Sequence, residues 1–220
     1  MTATLSGPML APKSGGAPRQ AVVILHGYGA DGNDLITLGA QWQAELPDAM
    51  FLAPNAPEPC AGNPFGFQWF DLDYTTDRVA NRQEGLPLAR PVVVRFLKDF
   101  WAQTGLSPKD TILVGFSQGA MMALHAGLSL PEPLMGIIAF SGAFIAPEGF
   151  GPASARTPVC LVHGDMDNVV DPDFSRQAAE ALEAAGVPVA YHVSHGVGHG
   201  ISPDGLAFAS AFIADVSARS

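Results

Sequence analysis

Short, uninterrupted apolar runs recur along this chain, and each is followed by a segment whose apolar residues fall at helical spacing. Ala21-Val-Val-Ile-Leu25, Met50 to Ala53, Thr111-Ile-Leu-Val-Gly115, Leu134 to Phe140 and Pro158 to Val162 read as strands, with Val187 to Val193 as the last. A strand that is apolar at every position has no polar face to turn to water, so it must be covered on both sides. The intervening segments supply the covers. Leu35, Leu38, Trp42 and Leu46 form one stripe, with Asp31 or Asn33 available as its cap. Val93, Phe96, Leu97 and Phe100 form a second, with Pro91 suited to the first turn and Gly105 to the stop. Met121, Leu124 and His125 follow Ser117, Phe174 to Ala185 precede Gly186, and Leu206 to Val216 close the chain. This alternation predicts an α/β fold, a mainly parallel sheet with helices on both faces. Residues 54–89, rich in Pro, Gly and aromatics, read as one long loop. A loop so far beyond the usual length of about 4–6 residues is commonly functional.

The 220 residues suit one domain over 1–220. Eleven Lys and Arg against 21 Asp and Glu leave a net charge of −10, which repels phosphates. Nucleic acid is therefore excluded as a partner, and so is stable association with an anionic membrane surface. No apolar run is long enough to span a bilayer, and residues 1–20 lack the pattern of a secretory signal. Cys60 and Cys160 cannot make a disulfide framework and read as reduced thiols of a cytoplasmic protein.

In a parallel sheet, functional groups gather at the carboxyl ends of the strands. Gly115-Phe-Ser117-Gln-Gly119 stands there. A G-x-S-x-G run alone is weak, but this one leaves a strand and opens an apolar helix. That context lifts the serine hydroxyl above the sheet and surrounds it with the free amides of a helix start. The bland alternative is a serine capping an ordinary helix. A serine needs a base, and the base an orienting acid, both expected at the ends of later strands. His163-Gly-Asp165-Met-Asp167 and Gly196-Val-Gly-His199-Gly200 occupy such places, in the order Ser, Asp, His. Asp165 and Asp167 share one short loop, and periodicity does not separate them. Among the histidines, His195 also stands at a strand end. His192 lies within a strand, His125 on a packed helix face, and His26 where a strand turns into the next loop. A metal cluster of His192, His195 and His199 with nearby aspartates matches no common zinc spacing, and strand alternation points neighbours apart, so no metal is expected. An oxyanion needs two N–H donors: one from Gln118, the other from the loop His26-Gly-Tyr-Gly-Ala-Asp-Gly32. That loop lacks the Lys-Ser/Thr ending of a phosphate cradle. Met121 and Met122 read as core packing.

With these segments in hand, the chain resembles the phospholipase/carboxylesterase family of α/β-hydrolases, from about Gly7 to its end. The resemblance rests on His26-Gly-Tyr-Gly-Ala-Asp31, Trp69-Phe-Asp71, Gly115-Phe-Ser-Gln-Gly119, His163-Gly-Asp-Met-Asp167 and Gly198-His-Gly200. It implies Ser117 as nucleophile, Asp167 as acid, His199 as base, and the backbone amides of Tyr28 and Gln118 as the oxyanion hole. Tyr28, where the thioesterases commonly have Leu, and the additional Ala30 are similar to the bacterial carboxylesterase branch. The expectation is a serine carboxylesterase for small-molecule esters of short to medium acyl chain, with no cofactor, no separate cap domain, and a homodimer left open. Phe65, Phe67, Trp69 and Phe70 are expected to line the acyl pocket. A lysophospholipase or acyl-thioesterase is the alternative, and a non-catalytic binding module on the same scaffold is the alternative of another class.

Overall fold

A computed structural model describes residues 5–72, 78–151 and 156–219, with the backbone alone for 78–80. In chain order the elements are β1 (Met9–Leu10), β2 (Gln20–Leu25), α1 (Gly32–Trp42), β3 (Ala49–Leu52), β4 (Glu58–Cys60), β5 (Asn63–Gln68) and α2 (Arg78–Thr104). There follow β6 (Thr111–Phe116), α3 (Gln118–Gly127), β7 (Gly136–Phe140), β8 (Val159–Gly164), α4 (Asp173–Ala184), β9 (Val189–Ser194) and α5 (Pro203–Ser217). Seven strands form the main sheet in the order β1-β3-β2-β6-β7-β8-β9, while β4 and β5 pair as a separate hairpin. All neighbours in the main sheet are parallel except the edge strand β1, which runs antiparallel to β3.

Strand alternation divides the core between the two faces. Val23, Leu113, Ile137 and Leu161 pack on one side, with Leu97 of α2, Met122 of α3 and Leu182 of α4. Ile24, Val114, Ile138 and Val162 pack on the other, with Leu38 and Trp42 of α1 and Ile213 of α5. Each such side chain contributes about 1.5–3 kcal/mol on burial, so this double covering fixes the register of the sheet. Asp31, extended at φ −140°, caps α1 by accepting from the amides of Asn33 and Asp34. Trp42 Nε1 donates to Ser210 Oγ at 2.9 Å, which ties α1 to α5.

The expected long loop 54–89 is the main correction. Its first part folds as the β4–β5 hairpin, and α2 runs from Arg78, well before Pro91, so that Pro87 and Pro91 both lie inside the helix. The buried stripe explains this, since Arg82, Leu86, Ala89, Val93, Leu97 and Phe100 continue one face at helical spacing. Both prolines are exposed and lie off that buried stripe. Among the described residues, no helix is long and apolar enough to cross a membrane. Cys60 and Cys160 are free and buried, and burial pushes the Cys160 thiol up to about 12.

Candidate active site

Ser117 joins β6 to α3 with φ 54° and ψ −116°, a region that residues other than glycine seldom occupy. Such a conformation costs on the order of 1–3 kcal/mol and persists only where the surroundings enforce it. Here the Ser117 N–H donates to Phe140 O at 2.9 Å across the strand ends. A Cβ on Gly119 would stand 2.0 Å from Leu25 O, and one on Gly115 would stand 2.2 Å from Gly119 O. The two glycines of the motif are therefore demanded by close backbone approach. Gln118 begins α3, so its N–H is one of the amides that a helix start leaves without an intrahelical acceptor.

The hydroxyl-bearing turn opens onto a cavity of about 210 Å³. Gly27, Tyr28, Gln118 and His199 line it with Ser117. Leu72, Phe116, Met121, Val169 and Val170 give it an apolar wall, and Asp34 and Arg82 bring charge to its edge. Ser117, His199 and both proposed oxyanion donors thus share one chamber.

Asp167 lies outside that chamber, behind His199. Its Oδ2 accepts from His199 Nδ1 at 2.6 Å, and its Oδ1 accepts from the amides of Val169 and Val170 at 2.8 and 2.9 Å. Burial works to raise this carboxyl, but the hydrogen bonds from His199 and the two amides outweigh it and hold Asp167 below the usual carboxylate range. The His199 ring packs on Phe116, with centroids 4.8 Å apart. With Nδ1 engaged by Asp167, Nε2 is the nitrogen left for proton exchange.

The other acidic and basic residues separate cleanly. Asp165 accepts from His195 Nδ1 at 2.8 Å and from the Gly196 amide at 2.7 Å, on an exposed shelf where the His195 side chain is 86% accessible. His192 pairs with Asp204 at 2.8 Å on the edge strand β9 and stacks on Phe208. His192, His195 and His199 thus face three different aspartates. His125 is buried, with Nδ1 donating to Ile145 O. His26 donates from Nδ1 to Gly27 O and accepts at Nε2 from the Ala56 amide. Burial lowers the pKa of both, and both stay neutral.

The aromatic lining expected from 65–70 is not found at this cavity. Phe65 is 89% exposed on the hairpin, and Phe67 packs near His26 while its backbone bridges Gly29 and Ala30. Trp69 and Phe70 are buried beneath the loop, where Trp69 Nε1 donates to His26 O and the Phe70 ring covers Gly85. The Gln118 side chain fixes them there, accepting from Trp69 N at 2.9 Å and donating to Phe70 O at 2.7 Å. The wall comes instead from Leu72, Val169 and Val170, just beyond the sequence segments that drew notice, and from Met121, which serves the core and the cavity together. The apolar Val169-Val170 pair, two residues after Asp167, was the available signal.

A model of the phospholipase/carboxylesterase family matches residues 11–217. Esterase YpfH of Escherichia coli (strain K12) is 32% identical over 192 residues, covering 87% of this chain and 80% of its own length. Acyl-protein thioesterase 1 of Saccharomyces cerevisiae is 30% identical over 209 residues, covering 89% and 92%. Among solved structures, esterase PE8 superposes with a TM-score of 0.93 at 54% identity, over 97% of this chain and 100% of the other.

Proposed function

The chain belongs to the phospholipase/carboxylesterase family, and from that premise we propose that it hydrolyses carboxylic esters of short to medium acyl chain through an acyl-serine intermediate. The observation that carries this reading is the convergence on one cavity of a strained serine and a histidine whose far nitrogen is held by a buried carboxylate.

In this mechanism Ser117 Oγ attacks the ester carbonyl carbon as His199 Nε2 takes the hydroxyl proton. The imidazolium so formed is stabilised by Asp167, which stays ionised. The carbonyl oxygen becomes an oxyanion and is received by the N–H groups of Gln118 and Tyr28, with the positive end of α3 behind it. The C–O bond to the alcohol breaks, and the departing alkoxide takes the proton from His199. Water then repeats the cycle: His199 removes its proton, the hydroxide attacks the acyl carbon, and the acid leaves with Ser117 reprotonated. A thioester would follow the same steps with a thiolate leaving. The yeast thioesterase relative supports this as the second reading. No metal or cofactor is needed for any step.

A fluorophosphonate probe tests the serine directly, since only an activated hydroxyl is phosphonylated. Mass spectrometry is expected to place the adduct on Ser117, and Ser117→Ala is expected to lower kcat by a factor on the order of 10⁶. An adduct on another serine, or an unchanged rate in the variant, overturns the assignment.

A further inference from the structure

Behind the Asp167–His199 pair lies a second histidine that the mechanism above does not use. His163, at the end of β8, is buried with Asp167, and both side chains are fully inaccessible. Its Nε2 stands 3.1 Å from Asp167 Oδ2 and 3.0 Å from Val170 O. A carboxylate and a carbonyl only accept, so Nε2 must carry the proton and donate to both. Its Nδ1 is 2.6 Å from Ser175 Oγ, on α4. With Nδ1 unprotonated, the Ser175 hydroxyl is the donor of that bond. The two acceptors at Nε2 set this tautomer, since a hydroxyl can donate or accept; Ser175 Oγ, which also stands 3.5 Å from Gly142 O, anchors the ring from its Nδ1 side.

Asp167 Oδ2 consequently accepts from two imidazoles, His199 at 2.6 Å and His163 at 3.1 Å. We propose that His163, oriented by Ser175, is a positioning residue for ester hydrolysis: its Nε2–H holds Oδ2 of Asp167 at the point from which that oxygen orients His199. The arrangement does two things at once. It gives Oδ2 a second, buried donor, so the carboxylate that holds the base toward Ser117 cannot swing away. It also draws off part of the carboxylate's charge, which limits how strongly Asp167 stabilises the His199 imidazolium and so keeps that proton transferable to the leaving group. Burial holds His163 itself neutral, against the pull of the Val170 carbonyl and Asp167.

The inference rests on the proposed Ser117, Asp167 and His199 roles, so Ser117→Ala is assayed alongside. The variants are His163→Leu, which removes the donor, His163→Gln, whose amide restores an N–H at about the Nε2 position, and Ser175→Ala, which removes the anchor of the ring at Nδ1. Hydrolysis of p-nitrophenyl butyrate is followed from pH 5 to 9, with folding checked by circular dichroism and melting. A hydrogen bond to a charged group is worth about one to two decades. His163→Leu is therefore expected to lower kcat about 10–100-fold with KM within about twofold, because substrate does not touch His163. The acid limb of its kcat/KM profile is expected to move to higher pH, since an Asp167 relieved of one donor favours the protonated base more strongly. Tyr28, Asp34 and Arg82, the other titratable and charged groups around the cavity, are the same in every variant. His163→Gln should recover most of the rate, and Ser175→Ala should lose part of it with the limb displaced in the same direction.

A folded His163→Leu with parental kcat and pH profile overturns the proposal, and so does a His163→Gln as impaired as His163→Leu. Should His163→Leu fail to fold, Ser175→Ala decides: an unchanged rate and profile there overturn the proposal. Activity surviving in Ser117→Ala would instead overturn the underlying serine mechanism, so the two failures are distinguishable.

Discussion

Replacing Asp167 by Asn changes one atom and should disable the base. The Val169 and Val170 amides both donate to Oδ1, so the new side chain will keep its carbonyl oxygen there and put its NH₂ where Oδ2 stood. That group then faces His199 Nδ1 at 2.6 Å and His163 Nε2 at 3.1 Å. A donor now meets two donors. His199 escapes by moving its proton to Nε2, which lets Nδ1 accept from the amide, but an Nε2 that bears hydrogen cannot take the proton of Ser117. The wrong tautomer in an otherwise intact triad costs about 10⁴ in kcat. Asp165→Asn is the internal control. Asp165 serves His195 and the Gly196 amide on an exposed shelf outside the cavity, so its loss should change kcat by less than about threefold, as expected of exposed pairs. Steady-state hydrolysis of p-nitrophenyl butyrate by both variants, with melting curves to verify folding, is the assay. Equal, modest losses from the two substitutions would refute the reasoning, as would a dominant effect of Asp165.

Acid should weaken the fold before its carboxylates titrate. His26, His125 and His163 are buried, and in each burial lowers the pKa. The unfolded chain takes protons that these sites refuse, so their stabilisation is complete above the unfolded value of about 6.5 and is lost as pH falls below it. At pH 5.5 the ceiling is about 1.4 kcal/mol for each, or about 4 together. Asp165 and Asp167, held below the carboxylate range, subtract further only below about pH 4. Scanning calorimetry should show Tm declining from pH 6.5 to 5, and a flat Tm over that interval contradicts the account. For substrate size, each methylene buried against Leu72, Met121 and Val169 should improve kcat/KM by up to about 0.8 kcal/mol until the wall is covered. A p-nitrophenyl ester series run across the solubility limit should follow monomer concentration, and a jump in rate at the onset of aggregation would point to interfacial activation instead.

What the sequence disclosed and what it withheld have physical causes. The central strands were legible because a strand covered on both faces must be apolar at every position, as in Val22-Val-Ile-Leu25 and Ile112-Leu-Val114. The turn at Ser117 was legible because close backbone approach leaves glycine no substitute at 115 and 119. The first half of α2 was not. Gly85, Pro87 and Pro91 argue locally against a helix, and the tertiary burial of Leu86, Ala89 and Val93 overrides them. The apolar wall of the cavity escaped for another reason. Aromatic residues at 65–70 signal burial without saying under what, and here Trp69 and Phe70 are drawn beneath the loop by the His26 carbonyl and the Gln118 amide. β1, two residues long, carries no periodicity to read.

The site combines parts of unequal rigidity. Each residue assigned a role in proton transfer is held by hydrogen bonds, buried or partly buried. The Ser117 turn is tied to Phe140 O, Asp167 to two amides and two imidazoles, and the amide-bearing loop after β2 to the hairpin through Gly29 N–H to Phe67 O at 2.9 Å and Phe67 N–H to Ala30 O at 2.8 Å. His26 binds the same loop to Ala56 on one side and to Trp69 on the other. The apolar wall is built differently. Leu72 follows the hairpin, Val169 is 49% exposed, and their side chains meet the cavity through van der Waals contact alone. Positioning within fractions of an ångström matters for proton transfer and oxyanion stabilisation, and hydrogen bonds supply the required direction. Dispersion and hydrophobic contact are non-directional and tolerate small shifts of an acyl chain. A scaffold so divided can alter which esters it accepts through Leu72, Met121 and Val169 while the Ser117, His199, Asp167 and His163 geometry stays in place.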